Sequence, residues 1–260
     1  MTTYFISDLH LGAPDLAASH ERERRFLRWL DACVDDMEAL YVVGDLFDFW
    51  FEYKRAVPRG HVRTLGRLAE LRDRGIPVHF FTGNHDLWVF DYLKEEIGAE
   101  VYHQPQRFEI QGKKLLVGHG DGLGPGDHGY KFVKKIFTNR FLQWCFARLH
   151  PNTGIGMANY FSRSSRAKTG TSDSDFNGLE NEWLYQYARD YQKEGEPVDY
   201  FVFGHRHLPI IADIPEGGRY YNLGDWLKYF TYGVMHDGQF ELKAFEKPLF
   251  FVGSEISQKE

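Results

Sequence analysis

Val78-His-Phe-Phe-Thr-Gly-Asn-His-Asp86 is the stretch from which the fold is read. An apolar, aromatic run of strand character stops at Gly83 and gives way to Asn84, His85 and Asp86, three adjacent side chains able to ligate metal or move a proton. In open α/β sheets, ligands sit outside the carboxyl ends of the strands, so a polar cluster directly after a strand is where chemistry is expected. A single histidine at a strand end is more often a hydrogen-bonded structural residue than a ligand. Here the device recurs at five strand ends. Asp8 and His10 follow residues 4–7, Asp45 follows 40–44, the quoted cluster comes third, His119 follows 115–118, and His205 with His207 follow 200–204. That recurrence predicts an α/β domain whose strand ends supply one site.

Outward from this stretch, Tyr4-Phe5-Ile6 reads as a short buried strand. Asp8 and His10, two apart on extended chain, point to one side and can reach one ion. Residues 21–34 carry apolar side chains at 26, 27, 30 and 34 on a charged background, the pattern of an amphipathic helix lying on a sheet. A second strand ends in Gly44-Asp45, followed by an aromatic stretch over 46–53 that contains Asp48 and whose Phe and Trp residues are read as core. A helix over 61–74 is closed by Gly75 and Pro77. Residues 106–111 and 113–118 flank Gln111-Gly112 as a hairpin feeding His119, and a strand over 199–203 feeds His205. From roughly 209 to 246, short β-like runs alternate with turns at Pro215-Glu-Gly-Gly and His236-Asp-Gly, which predicts antiparallel strands. The last six residues are expected to fray.

A chain of 260 residues fits one large α/β domain with an insertion better than two small domains. With 31 Lys+Arg against 37 Asp+Glu, the formal charge of −6 argues against a general nucleic-acid binder, and no nucleic-acid partner is expected. Cys33 and Cys145 are the only cysteines, which excludes a disulfide framework and a Cys-rich zinc site and suits a reducing cytosol. The first residues lack the basic and apolar regions of a signal peptide, and no apolar run approaches the ~20 residues of a membrane span. A soluble or peripheral protein is expected.

The strand-end donors are Asp8, His10, Asp45, Asn84, His119, His205 and His207, seven oxygen or nitrogen ligands with no thiolate. That set exceeds the four ligands of one tetrahedral zinc and suits two divalent ions. Mixed imidazole, carboxylate and amide donors are compatible with Mn, Fe or Zn, and the share of hard oxygen with no cysteine favours Mn2+. Two such ions carry four positive charges and the two aspartates return only two, so the site favours an anion. Ions ~3.5 to 4 Å apart can clamp the attacking and leaving oxygens of an in-line displacement at phosphorus, with a water deprotonated near neutral pH as nucleophile. Hydrolysis of a phosphoester or diphosphate is therefore the expected reaction, with Asp45 the candidate bridging carboxylate. His85 is the candidate to protonate the leaving group or hold the phosphate, oriented by Asp48 or Asp86.

Asp8-x-His10, Gly44-Asp45-x-x-Asp48, Gly83-Asn84-His85-Asp86, Gly118-His119 and Gly204-His205-x-His207 resemble the five motifs of the calcineurin-like metallophosphoesterases. The resemblance spans residues 4–207 and implies a four-layer αββα sandwich with a dinuclear centre. It implies Asp8, His10, Asp45 and His207 around one ion, and Asp45, Asn84, His119 and His205 around the other. Within that superfamily, residues 6–12, 44–50 and Leu223-Gly-Asp-Trp226 are similar to the UDP-2,3-diacylglucosamine diphosphatase family of lipid A biosynthesis. That likeness implies hydrolysis of the acylated UDP-sugar to UMP and 2,3-diacylglucosamine 1-phosphate, usually with Mn2+. It also implies substrate contacts at Asn84, His205, Asp127 and Lys168, and at one of Ser162, Ser164 and Ser165. His85 is a departure, since the best-known branch of the family carries Arg there.

The resemblance makes 1–127 and 195–260 the core and 128–194 a helical cap insertion. Residues 128–168 hold eight Lys and Arg and no acid, which leaves −14 on the remainder of the chain. Phe132, Phe137, Phe141, Trp144, Phe146 and other apolar residues are spaced among the charges as in helices, and residues 174–194 read as a further helix returning to the sheet. Basic and greasy together describe an interfacial element that meets anionic lipid; with the family resemblance, this implies a cytoplasmic enzyme peripheral on the inner face of the inner membrane. An ordinary cap packing its apolar face on the domain has the same composition, and a cap can do both while its aromatics hold acyl chains. A phosphodiesterase acting on soluble nucleotides or nucleic acid, and a metal-bound scaffold without catalysis, are the rivals. The greasy insertion favours lipid over the first, and the intact donor set speaks against the second.

Overall fold

The computed structural model of the protein describes residues 1–125, 128–158, 160 and 176–253. β1 (Thr2–Ile6), β2 (Met37–Val43) and β3 (Val78–Phe81) run parallel, joined by α1 (Leu16–Cys33) and α2 (Val62–Asp73). Asp15 caps α1, its Oδ1 accepting the Ala18 N–H at 2.9 Å, so the helix begins five residues before the range 21–34 expected for it. β4 (Glu100–Tyr102) extends this sheet on one side. β10 (Thr231–His236) and β11 (Gln239–Ala244) extend it on the other, giving the order β11-β10-β1-β2-β3-β4.

The second sheet has the order β12-β8-β9-β7-β6-β5. It contains the hairpin β5 (Gln106–Ile110) and β6 (Lys113–Gly118), then β7 (Tyr200–Phe203), β8 (Pro209–Asp213), β9 (Arg219–Leu223) and β12 (Val252–Gly253). The expectation of antiparallel strands beyond residue 209 holds within the hairpins β8–β9 and β10–β11. It fails between them: the two hairpins join different sheets, and β9 pairs parallel with β7. Turn residues fix a hairpin locally, but its second neighbour is decided by tertiary packing.

Both sheets are covered on both faces, and alternate residues of each strand go to different apolar layers. Ile6, Leu40, Val42, Val78 and Phe80 pack outward with Phe26, Trp29 and Leu30 of α1 and with Leu68 and Leu71 of α2. Phe5, Tyr41, Val43 and Phe81 point the other way and meet Leu115, Val117, Val202 and Tyr221 of the second sheet. Leu116, Phe201, Phe203 and Tyr220 form a third layer with Leu184, Tyr185 and Ala188 of α6 (Trp183–Glu194). This is the four-layer αββα sandwich, and burial on both faces is why the strands read as unbroken apolar runs. Phe47, Trp50 and Phe51 are fully buried, as core residues should be.

Neighbouring parallel strands β6 and β7 are joined by the whole segment 119–199. It carries α3 (His128–Phe137), α4 (Arg140–Phe146), α5 (151–158) and α6. The range 128–194 places α6 in the cap, yet its apolar face is the outer layer of the second sheet. α3 to α5 behave differently: α4 buries none of its residues, and Phe132, Phe141, Trp144 and Tyr160 are each more than half exposed. The last six residues, expected to fray, lie outside the described residues.

Candidate metal centre

The strand ends converge because β1, β2 and β3 of one sheet run parallel, as do β6 and β7 of the other, and backbone bonds stitch the loops that follow them together. Asp8 N–H donates to the Gly44 carbonyl (3.1 Å), His10 N–H to the Asp45 carbonyl (2.9 Å) and Gly204 N–H to the His119 carbonyl (3.0 Å). Asp8, His10, Asp45, His205 and His207 all adopt positive φ, between 45° and 70°. Five non-glycine residues in that region amount to stored strain, which persists only where the surroundings over-determine it and which gathers at functional sites.

The seven expected donors come together in two groups that share one oxygen. In the first, Asp8 Oδ1 lies 3.7 Å from His10 Nε2 and 3.5 Å from His207 Nε2, and the two imidazole nitrogens are 3.3 Å apart. Asp45 Oδ2 joins this group 3.6 Å from His10 Nε2 and joins the second 3.4 Å from His119 Nε2. Asn84 Oδ1 completes the second group, 3.2 Å from His119 Nε2 and 2.8 Å from His205 Nδ1. Two donors each ~2.1 Å from one ion, at tetrahedral to octahedral angles, stand about 3.0 to 3.4 Å apart, close to these spacings. Asp8 Oδ1 and Asp45 Oδ2 are moreover buried and lack any hydrogen-bond partner among the described residues. Carboxylate oxygens left so are costly unless cations face them, and the donor set fits two divalent ions on either side of Asp45 Oδ2.

Charge within the cluster agrees. Burial alone would raise both aspartates, but the histidines around them bring Asp8 down to about 2 and hold Asp45 well below the usual carboxylate range. Burial would lower His119, yet Asp45 beside it raises the imidazole to about 10. His119 Nδ1–H donates to the Val43 carbonyl at 2.9 Å, which fixes the ring and turns Nε2 into the site.

His85 stands at the rim, its N–H on Asp45 Oδ1 (2.9 Å) and its ring edge-on to His10 at 4.7 Å. Burial brings it down to about 4, so it is neutral at pH 7. Its Nδ1–H donates to the main-chain carbonyl of Asp48 at 2.9 Å, which sets the neutral tautomer with Nε2 unprotonated. The Asp48 carboxylate lies 3.7 Å from His85 Nδ1 and 3.6 Å from His10 Nδ1, making His10, Asp48 and His85 a further group of possible ligands. Asp86 has a different role from the one expected of it. Oδ2 accepts from Leu46 N–H (2.9 Å) and Oδ1 from Gly83 N–H (2.7 Å), so the carboxylate ties the Asp45 loop to the Asn84 loop.

Three contributors escape sequence reasoning. Arg22 of α1 is buried and donates to the carbonyls of Leu9, His10 (2.8 Å) and Ala13, holding the first loop from beneath; on the sequence it is one more charge on an amphipathic helix. Asp225 Oδ2 lies 3.5 Å from His207 Nδ1, the nitrogen that faces away from the first group. Its motif resembles the family's, but nothing in its spacing points to His207. Tyr130 of α3 puts its hydroxyl on Asp121 Oδ2 (2.6 Å) and its ring 6.2 Å from His205, and Lys134 reaches the same carboxylate oxygen at 2.6 Å. The cap thus begins at the edge of the site, and Trp88 ties it down further through Nε1–H to the Phe137 carbonyl and ring contact with Phe146. Asp127, Ser162, Ser164, Ser165 and Lys168 lie outside the described residues.

Comparison with known proteins bears on the same region. The calcineurin-like phosphoesterase family matches residues 1–209. A UDP-2,3-diacylglucosamine hydrolase of Porphyromonas gingivalis is 36% identical over 255 residues, covering 94% of this chain and 97% of that protein. A protein of the same name from Aeromonas hydrophila is 28% identical, covering 94% of this chain and 98% of its own. Among solved structures, a dimetal phosphatase from Danio rerio aligns over 94% of this chain and 95% of its own at 15% identity, with a TM-score of 0.48.

Proposed function

The chain belongs to the calcineurin-like phosphoesterases, and from that premise we propose that this metal-dependent hydrolase cleaves the diphosphate of UDP-2,3-diacylglucosamine to UMP and 2,3-diacylglucosamine 1-phosphate. The observation that carries the substrate is the 36% identity to the P. gingivalis hydrolase across nearly the whole of both chains. Asp8, His10, Asp45 and His207 would hold one divalent ion and Asp45, Asn84, His119 and His205 the other, with Mn2+ favoured by the oxygen-rich, thiolate-free donors. Bound there, the ions supply positive charge for the phosphoryl oxygens and an acidified water as nucleophile.

The remaining work falls to the chain itself. Asp45, held at Oδ1 by the His85 N–H, keeps Oδ2 fixed between the two histidine groups. His85, its tautomer set by the Asp48 carbonyl, presents Nε2 to the phosphate, while Asn84 and His205 line the side nearest α3. Asp127, Lys168 and one of Ser162, Ser164 and Ser165 are further substrate contacts in this reading. Exposed Phe132, Phe141 and Trp144 beside exposed Lys135, Arg140 and Arg148 suit a cap that meets anionic lipid at the inner face of the inner membrane and takes acyl chains from it. No helix of the described residues is long and apolar enough to cross a membrane.

The test presents UDP-2,3-diacylglucosamine in anionic and in neutral vesicles, at low and high salt, with UDP-N-acetylglucosamine and an aryl phosphodiester as controls. UMP release from the acylated sugar nucleotide is expected to be far the fastest, and faster on anionic vesicles in a way that salt suppresses. Good turnover of the aryl diester with none of the acylated substrate would replace this reading by a phosphodiesterase acting on soluble substrates, to which His85 also conforms.

A further inference from the structure

Arg206 lies between two of the expected ligands, His205 and His207, yet its side chain turns away from them. Its Nε and Nη2 donate to Glu182 Oε2 and Oε1, both at 2.8 Å, and the two side chains are only 4% and 3% exposed. The Trp183 ring covers the guanidinium at 5.0 Å. A two-point, buried Arg–carboxylate pair fixes orientation as well as distance. It is an expensive thing to bury, and its geometry has to be good for the attraction to offset the lost hydration.

The backbone it anchors is strained. Arg206 N–H donates to the Gly204 carbonyl at 2.8 Å, closing a three-residue turn around His205 at φ 70°, and His207 follows at φ 51°. Turns of this hand are rare and strained, and His205 has no glycine freedom to relieve the strain. Among the described residues the turn is held at Gly204 by the His119 carbonyl and the Asn222 amide, at the His205 N–H by Asp8 Oδ2 (3.0 Å), and at the Arg206 side chain by Glu182.

Glu182 is also a junction. It stands at the N-cap of α6, but its carboxylate makes no capping bond and, among the described residues, both its oxygens accept from Arg206. The next residues touch both loops of the second ligand group. Trp183 lies 6.4 Å from the His205 ring, and Leu184 packs so close to the His119 loop that a Cβ on Gly120 would meet its Cδ1 at 2.9 Å. The first turn of α6 therefore backs His119 and His205 together.

From this juxtaposition we infer that Glu182 and Arg206 are positioning residues for the second ion: their buried two-point pair holds the His205 turn, and with it the Asn84, His119 and His205 donors, in ligating geometry. The inference rests on the dinuclear reading of the site. Its test is the binding of Mn2+ to the full chain, free of activity, in the wild type and in Arg206→Lys and Glu182→Gln. The lysine keeps the charge but loses the planar fork; the glutamine keeps shape and one acceptor. Circular dichroism fixes a temperature at which each variant is folded.

In calorimetric titration the wild type is expected to bind two ions. Both variants should bind one of them about as tightly as the wild type does and the other at least tenfold more weakly, the lower end of what supporting residues of metal ligands contribute. A purely structural pair would lower the melting temperature and leave both affinities unmoved below it. Two ions bound with wild-type affinities in both folded variants would overturn the inference and leave the dinuclear reading standing. A wild type that binds fewer than two ions would overturn that reading first. Should Arg206→Lys not fold, Glu182→Gln alone decides, because its change is isosteric.

Discussion

Replacing Asp45 by Asn should separate folding from metal binding. Oδ1 accepts the His85 N–H at 2.9 Å, a task the Asn carbonyl can take over. The amide nitrogen then occupies the place of Oδ2, facing His10 Nε2 at 3.6 Å and His119 Nε2 at 3.4 Å, where two cations are expected. A neutral group with two hydrogens replaces the one oxygen common to both donor groups, so both ions should be weakened.

Without metal the change should already destabilise the fold. The histidines more than offset the burial of the Asp45 carboxylate, so losing its charge removes that stabilisation and leaves His119 without it; a cost of about 3 kcal/mol or more is expected. With metal the contrast should be large. Each ion at ~100 times its Kd stabilises the native state by about 2.7 kcal/mol, so two give about 5. For a chain of this size one kcal/mol raises Tm by roughly 2 °C or more, so Mn2+ should raise the wild type by about 10 °C. Thermal denaturation in EDTA and then in excess Mn2+ measures this directly. The variant should start lower than the wild type, by roughly 6 °C or more, and gain less than about 3 °C from Mn2+. An increment equal to that of the wild type, with two ions per chain by elemental analysis, would refute the sharing of Asp45.

Two further outcomes follow from the same geometry. Gly83→Ala should cost about 1 to 3 kcal/mol and most of the activity, because the added Cβ would press on the Asp45 carboxylate and lie 2.7 Å from its backbone nitrogen; turnover measured where the variant is still folded checks it. His119, raised to about 10 chiefly by Asp45 against the effect of burial, keeps its proton at any pH from 6 to 8, and an ion binding at Nε2 must expel it. Apparent affinity for the second ion should therefore rise with pH, by about tenfold per unit, and calorimetry in buffers of different ionisation enthalpy should find about one proton released; none released would sink this account.

Features that repeat along the chain are legible in the sequence, and features that occur once are not. Each strand that ends in the site is buried on both faces, so it appears as an unbroken apolar run, and its end is marked by a donor, preceded by glycine at four of the five strands and by Ser7 at the first. That is why Asp8, His10, Asp45, Asn84, His119, His205 and His207 can be gathered from the sequence alone. The residues that hold them leave no such trace. Arg22 bonds to carbonyls 9 to 13 residues away, and Glu182 pairs across 24 residues, so neither shows a period or a motif. The left-handed backbone at five of the seven donors is likewise invisible, since Asp and His do not announce positive φ as Gly does. β4 and β12, three and two residues long, are too short to carry a pattern.

The insertion is ambiguous in sequence for a different reason. Composition fixes how much apolar surface a segment has but not which side of a helix finds a partner. On α3, Phe137 rests against Trp88 at 5.3 Å while Phe132, five residues earlier, is 64% exposed. On α4, Phe146 enters the aromatic cluster of Phe51 (4.7 Å) and Trp88, while Phe141 and Trp144 stack on each other and stay exposed. One set of residues therefore ties the cap to the loops that carry His85 and Asp48, and another set is left to solvent in a way soluble surfaces usually avoid. The packed-cap reading describes the first set, and the second set is the one the proposed lipid-facing surface would use. In the proposed reaction that arrangement has a use, because acyl chains gathered by the outer residues would be delivered to a cap already fastened, through Tyr130, Lys134 and Trp88, to the rim of the metal centre.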